Sequence, residues 1–163
     1  MGTDVLIRPY RPGDESGIAD LIIPIQREEF DIPITYGEQP DLRDIPGFYQ
    51  QGAGEFWVAV AGDRIVGTIA LKDIGDGASA LRKMFVAASH RGEPHRLATR
   101  LLTALLAHAR DRALRAVYLG TTAKFLAAHR FYEKSGFFQI NPDELPPSFP
   151  RMAVDTRFYF LTL

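Results

Sequence analysis

Basic residues and a glycine lie between Ala87 and Arg96, just before a segment with the leucine periodicity of a helix. The first N–H groups of a helix have no acceptor within it, and the helix dipole is positive there. Together with the nearby arginines, Arg100 included, these groups could bind a phosphate or pyrophosphate. The segment has neither the Gly-Lys-Ser/Thr of a Walker loop nor the three glycines of a dinucleotide fingerprint. An ordinary solvated loop explains the same residues equally well.

Tyr132 lies within the periodic segment 123–135. Its helical neighbours Ala128 and Phe131 are apolar. Periodicity alone therefore predicts a core tyrosine whose hydroxyl meets a backbone carbonyl. No histidine pair has the i, i+4 spacing of a helical zinc site, so we predict no metal. We expect the histidines at the surface or at helix ends: His90, His95, His108 and His129.

Apolar periodicity predicts the elements that must position these residues. The predicted strands are 5–8, 55–61, 64–71, 80–86, 116–120, 137–140 and 155–161, and the predicted helices are 16–26, 97–113 and 123–135. Pro24 is expected to kink or end the first helix. Prolines and glycines interrupt the segment 28–54, where we predict only a short helix over 45–50. This order of elements predicts a mixed α/β domain around a central sheet.

The composition excludes several classes of protein. The chain has 163 residues, enough for one domain, and is 46% hydrophobic and 24% charged, which argues against disorder. The absence of cysteine excludes disulfides, a thiolate zinc site and a cysteine nucleophile. A net charge of −1 provides no bulk positive field for nucleic acid. Without a membrane-length apolar run or a signal-peptide pattern, we expect a cytoplasmic protein with no nucleic-acid or membrane partner.

Two stretches of the chain resemble motifs of the GNAT N-acetyltransferase family. Met84-Phe85-Val86, followed by Arg91-Gly92 and the leucine-rich helix, resembles the first motif. Residues 128–137, Ala-His-Arg-Phe-Tyr-Glu-Lys-Ser-Gly-Phe, resemble the second. The resemblance covers most of the chain and implies a single N-acetyltransferase-like domain over residues 1–163. Its α/β fold would have a splayed, mostly antiparallel sheet of roughly six or seven strands, flanked by about four helices.

The resemblance implies that acetyl-CoA binds where the sheet splays, between strands 80–86 and 116–120. Backbone groups of Phe85 and Val86 would pair with the pantetheine amides, and Tyr132 would protonate the leaving thiolate. Because no cysteine can carry the acetyl group, the amine would attack directly in a ternary complex, without a metal. The loop and the first helical turn would hold the pyrophosphate. The other implied cofactor-binding residues are Arg91, Gly92, Glu93, His95, Arg96, Leu97, Ala98, Thr99 and Phe125.

The sequence departs from the family pattern at three positions. Arg96 falls where the family has a glycine in a shorter phosphate loop. We expect Arg96 to keep right-handed backbone and to offer its guanidinium to phosphate, or the loop to bind phosphate in another way. Ala80 falls where members often carry a glutamate base, and Phe125 where they often carry an asparagine. No base is therefore assigned, and the acidic candidates are Glu28, Glu29, Asp31, Asp73 and Asp76.

The segment 28–54 resembles the part of the family that walls the acceptor site. Glu28 and Glu29 would suit a cationic amine, although a simple connecting segment explains these residues equally well. We expect a small-molecule or peptide amine as acceptor. The alternative functions are a non-catalytic acyl-CoA-binding module and a protein-interaction domain on the same fold. Apolar residues on both faces of strand 155–161 predict pairing with a second subunit, hence a homodimer.

Overall fold

The computed structural model describes residues 4–122 and 126–163, which form seven strands and five α-helices. Their order is β1 (Val5–Pro9), α1 (Glu15–Pro24), α2 (Pro40–Arg43), α3 (Ile45–Phe48), β2 (Glu55–Ala61), β3 (Arg64–Gly75), β4 (Ala78–Val86), α4 (Leu97–Asp111), β5 (Ala116–Thr121), α5 (Leu126–Lys134), β6 (Phe138–Ile140) and β7 (Arg157–Thr162). A π-helical turn, Ile25–Glu29, follows α1 directly.

The strands form one sheet in the order β1-β2-β3-β4-β5-β7-β6. Strands β1 to β4 pair antiparallel, and so do β5, β7 and β6, whereas β4 and β5 run parallel. The β3–β4 hairpin turns at Asp76 and Gly77, which both have positive φ, as in the primed turns that match strand twist. This topology confirms the predicted mixed α/β class and its mostly antiparallel sheet.

Helix α4 packs on the sheet through its leucine stripe. Leu97, Leu101 and Leu105 are buried in the core. Gly67 of β3 lies beneath them, and a Cβ at that position would stand 3.0 Å from Leu101 Cδ1 and 3.3 Å from Leu97 Cδ2. The glycine therefore allows the helix to lie close to the strand. This packing fixes the start of α4 beside the end of β4.

The structure differs from the sequence prediction mainly between residues 24 and 54. Helix α1 ends at Pro24, as the proline predicts, but the chain continues as a π-helical turn in which Phe30 N donates to Ile25 O. Helix α2 was not predicted, because four residues are too few for helical periodicity to appear. Strand β3 extends to Gly75, beyond the predicted end at 71, and β7 begins at Arg157 rather than at 155.

Candidate active site

Strands β4 and β5 separate after a short parallel pairing, and a cavity fills the gap. The pairing joins residues 78–80 to residues 116–118. Beyond it, residues 81–86 line one side and residues 119–122 the other side of a cavity of about 550 Å³. The edge of β4 past Ala80 therefore faces this cavity rather than a paired strand.

Two segments outside the sheet cover the cavity. One is the π-helical turn with the residues after it, and the other precedes β7. The ring of Phe30 lies 6.4 Å from that of Phe85, so the first cover packs on β4. The covering residues that line the cavity are mostly apolar, which limits the entry of water: Ile25, Gln26, Glu29, Phe30, Ile32, Phe149, Pro150, Met152, Val154 and Asp155.

Tyr132 of α5 lies at the cavity wall, opposite β4. Its hydroxyl points across the gap to Met84 Sδ at 3.7 Å. Its ring packs against Phe131, Phe137 and Tyr159. Burial raises the pKa of the Tyr132 phenol well above its ordinary range. The phenol is therefore protonated at neutral pH and has only a thioether, a weak acceptor, before it in the gap.

Arg91 connects the end of β4 to the first cover. Its Nε donates to Val86 O at 2.9 Å, and its Nη1 lies 2.7 Å from Glu29 Oε1. Of the predicted cofactor-binding residues, Phe85, Val86 and Arg91 line the cavity. The ion pair closes one edge of the cavity, since Glu29 belongs to the covering turn.

The predicted conformation of Arg96 is wrong. Arg96 adopts left-handed backbone with φ 48° and ψ 42°, at the position just before α4. Its guanidinium Nε lies 3.3 Å from Glu93 Oε2 in an exposed ion pair. The chain therefore keeps the backbone shape that a glycine would give, because the start of α4 beside β4 requires it. The guanidinium pairs within the loop instead.

The other predicted loop residues lie outside the cavity. Gly92, Glu93 and Thr99 are exposed, whereas Ala98 is half-buried and Leu97 is in the core. His95 stacks on His90, with ring centroids 4.5 Å apart. Arg100 points away, with Nη2 2.7 Å from Val5 O, so it does not join the basic loop. Phe125, also predicted to bind the cofactor, lies outside the described residues.

A buried polar cluster, which we call the Asp41 cluster, lies under one end of the cavity and was missed by the sequence analysis. A bulge in β4 creates it: Lys83 and Met84 stand opposite the single residue Ile69 of β3, and Lys83 has φ 53°. Neighbouring side chains of a regular strand point to opposite faces, but a bulge re-aims one of them. Two adjacent cations therefore approach one carboxylate. The cluster comprises Gln39, Asp41, Tyr49, Arg82 and Lys83.

Hydrogen bonds order the Asp41 cluster. Tyr49 donates to Asp41 Oδ2 at 2.6 Å and accepts from Arg82 Nε at 3.1 Å. Lys83 Nζ lies 2.7 Å from Gln39 Oε1 and 3.4 Å from Asp41 Oδ2. Burial lowers the pKa of Lys83, although Asp41 opposes this change, and burial raises the pKa of Tyr49. The segment predicted to be an acidic wall thus contributes a carboxylate that cations of β4 neutralise.

His129 is buried, contrary to the prediction of a surface or helix-end residue. Its Nδ1 lies 3.1 Å from Arg157 Nη1 and its Nε2 lies 2.8 Å from Thr122 O. Because a guanidinium only donates, Nδ1 accepts and Nε2 donates to the carbonyl. His129 therefore ties α5 to the residue after β5, at the cavity wall. A hydrophobic pattern could not reveal this polar role.

Asp155 is a carboxylate in the second cover. Its Oδ2 accepts from the backbone N–H of Met152 at 3.1 Å, and it lines the cavity. Burial raises the pKa of Asp155, while that hydrogen bond and the charges of Arg82 and Arg151 act in the opposite direction. The acidic candidates predicted from the sequence lie between residues 28 and 76 and do not include Asp155, because no motif marks the segment before β7.

Among residues 4–122 and 126–163, no group of three His, Cys, Asp or Glu side chains is arranged to hold a metal ion. Within the same described ranges, no helix has both the length and the apolar character that crossing a bilayer requires.

Known proteins are similar to this chain in sequence and in fold. The model of the Acetyltransferase (GNAT) family matches residues 20–137. A crystal structure of a GNAT-family acetyltransferase from Staphylococcus aureus Mu50 has a TM-score of 0.92 and 36% identity, over 98% of this chain and 99% of that chain. N-acetylglutamate synthase from Neisseria gonorrhoeae, complexed with coenzyme A and N-acetyl-glutamate, shares the fold alone. Its TM-score is 0.75 at 18% identity, over 100% of this chain and 36% of that chain.

A curated relative, N-acetylaspartate synthetase from Danio rerio, is 33% identical over 123 residues. The match covers 73% of this chain and 43% of the relative, so the chain spans less than half of that protein's length. The family model, by contrast, spans most of this chain, and the Staphylococcus structure matches nearly all of it. The chain therefore belongs to the GNAT acetyltransferase family.

Proposed function

We propose that the chain is an N-acetyltransferase that transfers an acetyl group from acetyl-CoA to an amine. The observation that carries this proposal is the gap between β4 and β5, with the protonated phenol of Tyr132 at its wall. Two of the similar proteins support the chemistry. One is named for N-acetylaspartate, a product acetylated on nitrogen, and another was crystallised with coenzyme A.

The residues present fit acetyl-CoA. The cavity-facing edge of β4 past Ala80 offers backbone N–H and C=O groups to the two amides of a pantetheine arm. The first amides of α4, after the left-handed Arg96, suit the pyrophosphate. Under this proposal the loop binds phosphate mainly through its backbone, and Arg91 adds a cation at the cavity edge.

When bound, acetyl-CoA supplies a thioester carbonyl, which an amine can attack. The new bond joins the amine nitrogen to the acetyl carbon, and the bond from that carbon to sulfur breaks. Tyr132 donates its hydroxyl proton to the departing thiolate. The apolar covers of the cavity exclude water, which would otherwise hydrolyse the thioester. With no cysteine in the chain, no thiol can carry the acetyl group, so the attack is direct.

A protonated amine has no free electron pair, so another group must take its proton. Two carboxylates line the cavity among the described residues, and Glu29 is already paired with Arg91. We assign proton acceptance to Asp155, because it lines the cavity and burial raises its pKa above the ordinary value of a carboxyl. We expect kcat/KM to rise with pH as Asp155 ionises and then to reach a plateau. The substitution Asp155→Asn should lower this plateau value of kcat/KM by about 100-fold. Asp143→Asn, outside the cavity, is the control, and an unchanged profile in Asp155→Asn contradicts the assignment.

The test of the proposed function is Tyr132→Phe, measured by calorimetric titration with acetyl-CoA and by CoA release in the presence of amines. We expect kcat to fall by about 100- to 10,000-fold while acetyl-CoA affinity is unchanged, because the substitution removes only the proton donor. Tyr118→Phe is the matched control. Tyr118 lies on β5 and stacks on Phe160, with ring centroids 5.8 Å apart.

The outcomes separate the alternatives. If Tyr132→Phe retains full turnover, Tyr132 is not the acid. If the protein binds acetyl-CoA but acetylates no amine, it is an acyl-CoA-binding module. If it binds neither acetyl-CoA nor CoA, the transferase function is wrong, and a protein-interaction domain remains.

A further inference from the structure

Arg82 of β4 presents hydrogen-bond donors to the cavity. Its Nε donates to Tyr49 Oη at 3.1 Å and its Nη1 to Pro150 O at 3.3 Å. Within residues 4–122 and 126–163, its Nη2 contacts only weak or distant acceptors, Met152 Sδ at 3.8 Å and Asp41 Oδ2 at 3.9 Å. The Nη2 hydrogens therefore remain for a ligand. The side chain lines the cavity and is 13% exposed, so the charge is held almost out of water.

The other charges at the cavity are largely neutralised in pairs. Lys83 lies closer to Asp41 than Arg82 does, at 3.4 Å against 3.9 Å. Arg91 is paired with Glu29 at 2.7 Å. This leaves Arg82 and Asp155, which both line the cavity and whose charges interact without a direct ion pair. A ligand with one anionic and one amino group matches this arrangement.

We propose that the acceptor is an amino acid, whose carboxylate binds Arg82 and whose amine lies toward Asp155. The inference rests on the proposed function, because it identifies the acceptor of that reaction. A guanidinium is the side chain best suited to bind a carboxylate. Lysine side chains of proteins and the N-termini of peptides lack a carboxylate beside the amine, so this site disfavours them.

The Asp41 cluster holds Arg82 in place before the acceptor binds. Tyr49 is buried and connects Arg82 to Asp41, and Phe48 lies under the guanidinium, with its ring centroid 5.5 Å from Cζ. The backbone oxygen of Pro150 fixes the other side. A cation held in this way loses little conformational freedom when a carboxylate binds. The second cover also contacts Arg82, so the acceptor site and the cover share one residue.

The experiment uses L-amino acids that have acidic, apolar or basic side chains. For each amino acid, kcat/KM is compared with that of its own α-carboxamide, at saturating acetyl-CoA. The amine of a carboxamide is less basic and more often neutral at pH 7, so intrinsic reactivity favours the carboxamide. We nevertheless expect kcat/KM to be about 100-fold higher for the amino acid. Arg82→Gln should abolish this preference, chiefly through KM, and Arg82→Lys should retain part of it. Arg151→Gln, which removes a nearby exposed charge, should leave the preference intact.

Calorimetric titration of the same pairs, with CoA present, tests binding without turnover. We expect the amino acid to bind and its carboxamide to bind about 100-fold more weakly in the wild type, with no difference in Arg82→Gln. Equal kcat/KM or equal affinity for amino acid and carboxamide overturns the proposal, as does a preference that survives Arg82→Gln. Binding that depends on Arg82 without any acetylation supports an amino-acid site at Arg82 but contradicts the proposed function and, with it, the role of the amino acid as acceptor. Acetylation of amines without a preference for the carboxylate contradicts this inference alone, so the two failures are distinguishable.

Discussion

The loop before α4 and the Asp41 cluster are built in opposite ways. In the loop, where we propose that the pyrophosphate binds, the side chains of Glu93 and Arg96 are 78% and 65% exposed, and their ion pair lies in solvent. In the Asp41 cluster, the side chains of Asp41 and Lys83 are 7% and 8% exposed and belong to a hydrogen-bonded network. The first site depends on backbone shape, and the second depends on side chains.

This difference has consequences for stability. An exposed ion pair contributes about 0–1 kcal/mol, because water screens it and its side chains lose freedom when they pair. A buried pair is different, because removal of one partner leaves an uncompensated charge out of water. Substitutions in the loop should therefore change the free energy of unfolding little, whereas substitutions in the Asp41 cluster should change it strongly.

The largest effect is expected for Asp41→Asn. The amide keeps an acceptor for Tyr49 but leaves Lys83 and Arg82 without the carboxylate. We expect the free energy of unfolding to fall by about 3–5 kcal/mol, measured by urea denaturation. Glu93→Gln, the matched change in the exposed pair, should lower it by less than about 1 kcal/mol.

The double variant Asp41→Asn, Lys83→Met sharpens this test. If the unpaired cation causes the loss, removal of that cation should restore more than half of the stability. Equal losses of unfolding free energy for Asp41→Asn and Glu93→Gln would contradict this comparison, since the loop and the Asp41 cluster would then respond alike.

The sequence predicted the parts of the site that local patterns encode. The strand 80–86, the leucine stripe of α4 and Tyr132 are local features. In the structure, residues 81–86 and Tyr132 line the cavity, and the leucine stripe packs on the sheet. The family motifs lie in these segments, so the resemblance located the gap in the sheet before its geometry was known. The resemblance also implied a mostly antiparallel sheet of six or seven strands, and the structure has seven.

The Asp41 cluster could not be predicted because its side-chain contacts join residues that are far apart in the sequence. Lys83 bonds Gln39 across 44 positions of sequence, and Arg82 bonds Pro150 across 68. One extra residue in β4 forms the bulge that brings both cations to Asp41. The alternation of apolar residues along the strand does not indicate where such a bulge occurs. His129 was misjudged for a related reason, since its partners Thr122 and Arg157 lie on other elements.

The smallest effect on the free energy of unfolding is expected for Arg96→Gly, which tests the left-handed backbone at this position. A non-glycine residue in left-handed backbone carries a cost of about 1–2 kcal/mol, which glycine avoids. After allowance for the greater freedom of glycine in the unfolded chain and for the lost pair with Glu93, Arg96→Gly should raise the free energy of unfolding by about 0.5–1 kcal/mol. Arg110→Gly, an exposed position in the right-handed backbone of α4, should lower it by about 1 kcal/mol.

The same variant tests whether the phosphate loop works through its backbone. If the amides at the start of α4 bind the pyrophosphate, Arg96→Gly should keep the affinity for acetyl-CoA within about twofold, because the glycine preserves the left-handed turn. A tenfold weaker affinity, equal to about 1.4 kcal/mol, would mean that the guanidinium leaves Glu93 to bind phosphate. Ligand binding at the loop and at the Asp41 cluster would then both depend on arginine side chains, and the two regions would differ in burial alone.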